Sequence, residues 1–322
     1  ITGTANTADY STAFSSKGAS TVAGTGTSGS ATNQLSNPYA VDVDSSGNIY
    51  VGDYSNNRIV KWAPGATSGT VVVSGIYAFG IHVDSSGNIY ASDNSYHRIM
   101  KYTLESDGTY TATVVAGGNG NGSNNNQFSS PRGIDVDSSG NIYVADQGNH
   151  RVMKWSSLGS EGTVVAGTGT SGQGTNQLSS PADVRLDSSD NIYVADQSNH
   201  RVMKWASGAS VGTLVAGTGT YGYGTNQLYN PAGLDVDSSG NIYVSSISSQ
   251  RINKWAPGAT SGSLLISSVS SYGLLVDSYG NLFFSDANNR SIKKHVINPE
   301  ITITAGQTTG TLTLTAVSDS SD

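Results

Sequence analysis

The sequence predicts an all-β fold in which one four-stranded unit recurs six times around a closed ring. The first observation is a near-exact repeat, because residues 137–155 (DSSGNIYVADQGNHRVMKW) return at residues 187–205 as DSSDNIYVADQSNHRVMKW. The second is that the core triplet of this phrase, NIY or NLF, begins at Asn48, Asn88, Asn141, Asn191, Asn241 and Asn281. The third is that helical periodicity is absent, so the repeat rather than the chain length sets the number of domains.

Each unit contains the sequence signals of four short strands. In the third unit, GIDVD (residues 133–137) alternates apolar and polar residues as a half-buried strand does. DSSGN then supplies turn residues, and the segments NIYVAD and RVMKW are rich in residues that suit strands. TVVAG (residues 163–167) is the fourth strand. Four antiparallel strands per 40–53 residues form one blade, so residues 20–296 are predicted to form a six-bladed β-propeller.

The repeated phrase also resembles a known sequence family. Residues 131–152 follow the pattern P-x-G-I-D-V-D-S-S-G-N-I-Y-V-A-D-x-x-N-H-R-V. This pattern resembles the NHL repeat, which is named after an Asn-His-Leu signature and is known from six-bladed β-propellers. The corresponding triplets here are Asn149-His150-Arg151 and Asn199-His200-Arg201. The resemblance extends over residues 20–296 and implies the same propeller fold.

The two ends of the repeated region predict how the ring closes. The sixth unit has no fourth strand of its own, whereas STVAGTGT precedes the first unit at residues 20–27. Residues 20–24 are therefore expected to pair with the sixth blade, which leaves no open blade edge. Residues 1–19 form an N-terminal extension in this scheme. Residues 297–322, with ITIT and TLTLTAV, predict a C-terminal β-hairpin that resembles part of Calx-β-like or immunoglobulin-like surface modules.

Composition narrows the classes of function. A net charge of −7 with 12% charged residues disfavours a nucleic-acid surface, which needs a basic patch. No apolar run is long enough to cross a bilayer, and the absence of cysteine excludes disulfides and thiol catalysis. The chain begins with Ile, which suggests processing. Abundant Gly, Ser, Thr and Asn suit a secreted microbial protein, so an extracellular or cell-surface location is expected.

Most repeated polar residues have a structural interpretation. The Asp that opens each DSSGN segment, such as Asp137, predicts a turn in which its carboxylate accepts backbone N–H bonds, although half of a calcium loop would look similar. In four units an Asp lies five residues before an Arg, as in Asp146 and Arg151, and predicts an ion pair across a turn. Histidines within those turns lie too far apart around a ring to form one site.

One ring of equivalent positions is a candidate for chemistry. The middle of each first strand, which lines the central channel of a propeller, carries Asp42, His82, Asp135, Arg185, Asp235 and Leu275. Three carboxylates and a histidine near one axis predict a cation site at Asp42, His82, Asp135 and Asp235. Carboxylates favour Ca²⁺, and the histidine admits a transition metal. The alternative is a polar, water-filled channel with an Asp–Arg pair across it. No other cofactor is indicated.

The connections between blades predict a binding surface. Four are long and rich in Gly, Thr and Asn, at residues 24–37, 117–130, 167–180 and 217–230, whereas residues 74–79 and 267–272 are short. Binding residues of propellers are usually carried on such loops. Tyr221, Tyr223 and Tyr229 in the fourth long loop are therefore the predicted ligand-binding residues.

These features predict a non-enzymatic binding or structural scaffold with a protein or glycan partner on the loop face. One alternative is a self-assembling filament subunit that joins head to tail through terminal strands, since added strands give affinity through backbone bonds. Another is a metal-dependent lyase or hydrolase with a channel site. Peptidylglycine amidating lyases, which resemble this family, combine metal-bound histidines with a Tyr and an Arg. Here the inner strands carry only His82, so an enzyme is not expected.

Overall fold

A computed structural model describes residues 18–157 and 159–297, and these residues form six four-stranded antiparallel sheets arranged as blades. Strands are numbered in chain order, beginning with β1 (Ser20–Ala23). Blade 1 contains β2 (Pro38–Val43), β3 (Ile49–Asp53), β4 (Arg58–Trp62) and β5 (Thr70–Ser74). Blade 2 contains β6 (Ala78–Val83), β7 (Ile89–Asp93), β8 (Arg98–Leu104) and β9 (Tyr110–Gly117). Blade 3 contains β10 (Pro131–Val136), β11 (Ile142–Asp146), β12 (Arg151–Trp155) and β13 (Gly162–Gly167).

The remaining blades repeat this order. Blade 4 contains β14 (Pro181–Leu186), β15 (Ile192–Asp196), β16 (Arg201–Trp205) and β17 (Thr213–Gly217). Blade 5 contains β18 (Pro231–Val236), β19 (Ile242–Ser246), β20 (Arg251–Trp255) and β21 (Ser263–Ser267). Blade 6 contains β22 (Leu274–Val276), β23 (Asn281–Asp286), β24 (Ser291–Val296) and β1. Short 3₁₀ turns follow the second strand of blades 1–4, at Tyr54–Asn56, Asn94–Tyr96, Gln147–Asn149 and Gln197–Asn199. None of the helices in the described ranges could span a membrane.

The first strand of each blade lies innermost, and these six strands contact one another around the axis. Their approach is close enough to require glycine. A Cβ atom on Gly80 would lie 2.6 Å from the Arg132 carbonyl oxygen, and one on Gly273 would lie 2.5 Å from the Tyr39 carbonyl oxygen. Both distances are shorter than van der Waals contact allows, so glycine is required where blade 2 approaches blade 3 and where blade 6 approaches blade 1.

The hydrophobic core lies between neighbouring blades. In one cluster, Tyr143 and Val152 of blade 3 pack with Val184 and Trp205 of blade 4. The tryptophans that end the third strands of blades 1, 3, 4 and 5 are almost fully buried. Packing between blades is the role expected of a repeated aromatic at this position.

The predicted ring closure is confirmed. β1 pairs with β24 in antiparallel register, with Ser20 opposite Lys294 and Ala23 opposite Ile292. The Nζ of Lys293 also donates to Thr21 Oγ1 at 2.7 Å. The fold is therefore the predicted six-bladed propeller closed by an N-terminal strand. The predicted hairpin at 297–322 and most of the extension at 1–19 fall outside the described residues, so head-to-tail assembly through these segments stays a prediction.

The repeated Asp residues act in turns as predicted. Asp44 Oδ1 accepts the backbone N–H groups of Ser46 and Asn48, at 3.0 and 2.9 Å. The Asp–Arg pair is present in blades 1–4, with Nε to Oδ2 distances of 2.8 or 2.9 Å in Asp53–Arg58, Asp93–Arg98, Asp146–Arg151 and Asp196–Arg201. These residues are structural parts of each blade.

The long loops are packed against the blades rather than being solvated connections. In the loop at 167–180, Leu178 is fully buried, and the backbone carbonyls of Gln173, Gly174 and Gln177 accept hydrogen bonds from Arg201. The equivalent arginines that hold the other long loops are Arg58, Arg151 and Arg251. The long loops therefore form around a guanidinium at the start of the third strand.

Candidate functional site

Among the six channel residues, aspartates alternate with other residue types around the ring. The odd-numbered blades carry Asp42, Asp135 and Asp235, and each carboxylate accepts a backbone N–H of the next blade at 2.6–2.8 Å, from Val83, Leu186 and Val276 respectively. The even-numbered blades carry His82, Arg185 and Leu275 between these carboxylates. Each aspartate therefore clamps two blades together at the axis.

The two basic side chains of the ring, His82 and Arg185, lie beside these carboxylates. His82 Nδ1 is 3.2 Å from Asp135 and 4.0 Å from Asp42, and Arg185 Nε is 3.8 Å from Asp235. Arg185 Nη1 also donates to the Ile134 carbonyl at 2.7 Å. Leu275 brings no charge to the space between Asp235 and Asp42.

The pKa shifts follow this arrangement. Burial raises the pKa of Asp235 to about 7, with Arg185 opposing, and it also raises the pKa of Asp42. Burial would raise the pKa of Asp135 as well, but His82 and Arg185 together hold it below its ordinary value. Burial alone would lower the pKa of His82, yet Asp135 and Asp42 raise it. The carboxylates beside Leu275 are the ones that retain protons most readily.

A cation site is predicted at Asp42, His82, Asp135 and Asp235. The geometry of these residues favours hydrogen bonds between blades over metal binding. Within residues 18–157 and 159–297, no group of three or more acidic or histidine side chains is placed to hold a metal ion. One oxygen of each aspartate is already taken by a neighbouring blade, and His82 Nδ1 faces Asp135. Calcium binding in the channel stays a prediction, and its test is given below.

The histidines of the turns have a backbone role. His97, His150 and His200 adopt left-handed conformations with φ of 52–55°. Their Nδ1 atoms accept backbone N–H bonds from Ser130, Ser180 and Asn230 at 3.0–3.3 Å. Each histidine therefore fastens its turn to the start of the next blade's first strand.

The predicted tyrosines are brought together. The ring centroids of Tyr221 and Tyr229 are 5.1 Å apart, and those of Tyr223 and Tyr229 are 6.2 Å apart. His200 of blade 4 lies 5.6–5.7 Å from Tyr229 and Tyr221, and burial lowers its pKa. Tyr221 and Tyr223 remain 60% and 70% exposed. We call these four residues the tyrosine cluster.

A wide cleft of about 920 Å³ also lies between blades 4 and 5, beside their DSSGN-type turns. It contains Asp187, Lys204 and Leu214. The Lys204 ammonium lies 3.4 Å from Asp187 and 4.8 Å from the centroid of the Tyr193 ring, so its charge is already compensated. None of the predicted ligand-binding or metal-binding residues lines this cleft.

The sequence predictions did not include a group at one mouth of the channel. The second position of each inner strand, or its equivalent before β22, carries Tyr39, Phe79, Arg132, Ala182, Ala232 and Tyr272. The ring centroid of Tyr39 lies 4.3 Å from that of Tyr272 and 5.0 Å from that of Phe79. We call these six residues the channel mouth.

The channel mouth lies next to the ring formed by Asp42, His82, Asp135, Arg185, Asp235 and Leu275. A cavity of only about 20 Å³ lies between Phe79 and Tyr272 on one side and Arg185 on the other. The sequence carried a signal for this group, because the second position of the inner strand takes four residue types in the six blades, Tyr, Phe, Arg and Ala. A position that varies within a strict repeat is free of the repeat's structural constraint and available for a ligand.

Comparison with known proteins agrees with this architecture. The family described as NHL repeat matches residues 35–62, 128–155 and 178–205, so the chain contains NHL repeats. No curated protein matches the sequence.

Three solved structures illustrate the fold. A protein of unknown function from Bacteroides thetaiotaomicron has a TM-score of 0.68 at 15% identity, over 86% of this chain and 75% of that chain. An auxiliary nutrient binding protein from Bacteroides ovatus has a TM-score of 0.64 at 12% identity, over 86% and 76%. A gluconolactonase from Xanthomonas campestris has a TM-score of 0.62 at 14% identity, over 82% and 86%. At these identities the likeness concerns the fold alone.

Proposed function

We propose that this six-bladed propeller with NHL repeats is a non-enzymatic binding module, acting outside the cell, that holds an uncharged glycan at the tyrosine cluster. The observation that carries the proposal is that Tyr221, Tyr223 and Tyr229 converge in one loop and leave two rings mostly exposed. Tyrosine presents an apolar face and a hydroxyl group, which suits a ligand with both kinds of surface. His200 adds no charge at neutral pH because burial lowers its pKa.

The same loop in another blade shows that the tyrosines are not needed for folding. Ser171, Gln173 and Ser179 stand at the equivalent positions of the loop before blade 4, which has the same backbone bridge and the same arginine contacts. The tyrosines are therefore a local addition to a common loop. A local addition of exposed aromatic surface is typical of a binding site.

A binding role is supported over catalysis by how the histidines are used. The Nδ1 atoms of His97, His150 and His200 accept backbone N–H bonds, and His82 is held by Asp135. A histidine acting as general base needs an unprotonated nitrogen aimed at a substrate. Similar propellers include a nutrient binding protein and a gluconolactonase, so we would also assay lactone hydrolysis with added divalent cations and expect no turnover.

The test uses the chain's own loop as a template. The triple variant Tyr221→Ser, Tyr223→Gln and Tyr229→Ser reproduces the loop before blade 4 and should fold normally. On an array of neutral glycans, wild-type protein should bind and the triple variant should lose at least about tenfold in affinity, since aromatic anchors dominate such contacts. Tyr279→Ser is the matched control, because Tyr279 is 85% exposed and serine stands at its equivalents. Absent glycan binding, or binding that survives the triple substitution, would contradict the proposal.

A further inference from the structure

The channel mouth contains a guanidinium group whose hydrogen-bonding capacity is largely unused. Arg132 lies over the Phe79 ring, with Cζ 4.5 Å from the ring centroid. Its Nη1 donates to Gln197 Oε1 at 3.2 Å. Its Nε is buried and has no hydrogen-bond partner among residues 18–157 and 159–297. A guanidinium has five N–H donors, and the contact with Gln197 uses only one of those on Arg132.

Among the described residues, Arg251 also has a buried Nε without a partner and no carboxylate beside it, but its Nη atoms donate to three loop carbonyls, so Arg132 differs in having one partner only. Arg58, Arg151 and Arg201 each pair with an aspartate at 2.8 Å and donate to loop carbonyls, and Arg185 lies among channel carboxylates. Arg132 pairs with no carboxylate in the part of the chain that the structure describes, and burial lowers its pKa while nearby tyrosines oppose the shift. Arginine keeps its proton in proteins, so the mouth contains a partly desolvated positive charge that no carboxylate of residues 18–157 and 159–297 neutralises.

The shape of the mouth indicates what could supply the negative charge. Tyr39, Phe79 and Tyr272 form an aromatic wall on one side, next to Arg132. Ala182 and Ala232, at the equivalent positions of blades 4 and 5, are buried and bring neither charge nor a hydrogen-bonding group to the mouth. One guanidinium beside aromatic rings suits a group with a single negative charge on a flat apolar body, whereas phosphate would need more positive charge.

We propose that the channel mouth binds an aryl carboxylate, with the carboxylate on Arg132 and the ring against the aromatic wall. A guanidinium can bind a carboxylate through two parallel N–H···O bonds, which accounts for the free donors of Arg132. The carboxylate can belong to a free aromatic acid or to the C-terminal aromatic residue of a peptide. This site is separate from the tyrosine cluster, so the triple loop variant should bind the acid normally.

The test is calorimetric titration of the full chain with 2-naphthoate. Wild-type protein should bind 2-naphthoate and bind 2-naphthamide much more weakly. Arg132→Ala should weaken 2-naphthoate binding about tenfold or more, because it removes a charge-assisted interaction. Alanine is the residue of blades 4 and 5 at this position, so the fold accommodates it. Arg290→Gln is the control for charge, since Gln250 occupies the equivalent turn position with the same positive φ, and it should leave affinity unchanged.

Two further measurements decide the interpretation. The first is thermal melting without ligand, in which Arg132→Ala should melt no lower than wild type. If the alanine variant fails to fold, Arg132→Met replaces it. This variant keeps the contact with Phe79 and should show the same loss of binding. Acetyl-Ala-Ala-Phe as the acid and as the amide distinguishes a peptide C-terminus from a free acid, because a terminus predicts tighter binding of the acid peptide than of 2-naphthoate. Equal affinity in wild type and in a folded Arg132 variant, or no binding at millimolar 2-naphthoate, would overturn the proposal.

Discussion

The arginine at the start of the third strand has different partners in different blades. Arg201 pairs with buried Asp196 and also donates to three carbonyls of the long loop before blade 4. Arg98 follows a short connection, pairs with Asp93 and leaves 30% of its side chain exposed. The same residue type therefore fixes a loop in one blade and only an ion pair in the other.

Glutamine substitutions should separate these two contributions. Arg201→Gln should lower the free energy of unfolding by about 3–5 kcal/mol, because it leaves Asp196 buried without its cation and frees the loop carbonyls. Arg98→Gln should cost less, by roughly 2–3 kcal/mol, since it also leaves a buried carboxylate without its cation but loses no loop contacts. Urea denaturation of both variants measures the difference. Equal losses would show that the loop contacts contribute nothing.

Two buried aspartates predict an unusual dependence of stability on pH: Asp235 of the channel ring, and Asp183 of β14, whose Oδ1 lies 3.8 Å from Arg185 Nη1. Burial raises the pKa of Asp183 to about 6 and that of Asp235 to about 7, so the folded state holds these protons more tightly than the unfolded chain does. Stability from such groups is fully present below the unfolded pKa of about 4 and is lost as pH rises through the folded values. The turn aspartates, whose pKa values are lowered, act in the opposite direction below about pH 4.

We therefore expect the free energy of unfolding to fall between about pH 4 and pH 7, by an amount on the order of a few kcal/mol. Asp235→Asn should reduce this fall, since asparagine keeps an oxygen for the Val276 N–H but cannot ionise. Urea titrations at several pH values provide the measurement. A wild-type stability that rises over this window would refute the assignment.

At the scale of the element, β1 is a strand of four residues on which closure of the ring depends. Its Ala23 is buried with Ile292 and with Val60 of blade 1, so the strand contributes to packing between blades as well as to its own sheet. A chain without it exposes the edge of β24, which then has unpaired backbone groups.

Two truncations isolate the contribution of this strand. A chain starting at Gly18 retains β1, whereas a chain starting at Thr25 lacks it. We expect the second to unfold with roughly 3 kcal/mol less free energy than the first, in one cooperative transition, because it loses ladder bonds and apolar burial together. Equal stability of the two chains would show that closure does not depend on β1.

The elements and the candidate sites differ in how far the sequence predicts them. Six copies of one motif fix the strands and their register, because every blade uses the same turn residues and the same alternation. The mouth residues Tyr39, Phe79 and Tyr272 come from distant parts of the chain and meet only when the ring closes. The unpaired Nε of Arg132 is likewise a property of its neighbours in space, which no local pattern contains.

At the scale of the whole molecule, aromatic and charged side chains occupy successive levels near the axis. The aromatic wall lies above a small cavity, and the alternating ring of charges lies below it. The alternative of a water-filled channel stays a prediction. Contacts between inner strands, which close the axis, also hold neighbouring blades together.

Thermal melting tests whether calcium binds at the predicted site in the channel. Since the carboxylates already accept backbone N–H bonds from neighbouring blades, we expect the same Tm in calcium and in a chelator. A chelator that lowers the Tm of wild type, but not that of Asp135→Asn, would show that calcium binds in the channel.

The closing strand has a mechanical consequence. Ser20 and Lys294 face each other at the same end of the β1–β24 pair, near the points where the flanking residues 1–17 and 298–322 attach. Tension applied between those flanks pulls the pair apart from that end, so its hydrogen bonds break one after another instead of sharing the force. Strands loaded in this unzipping direction separate at lower force than strands sheared along their length. Under tension the ring therefore opens at this seam first, while blades 1–5 are still intact.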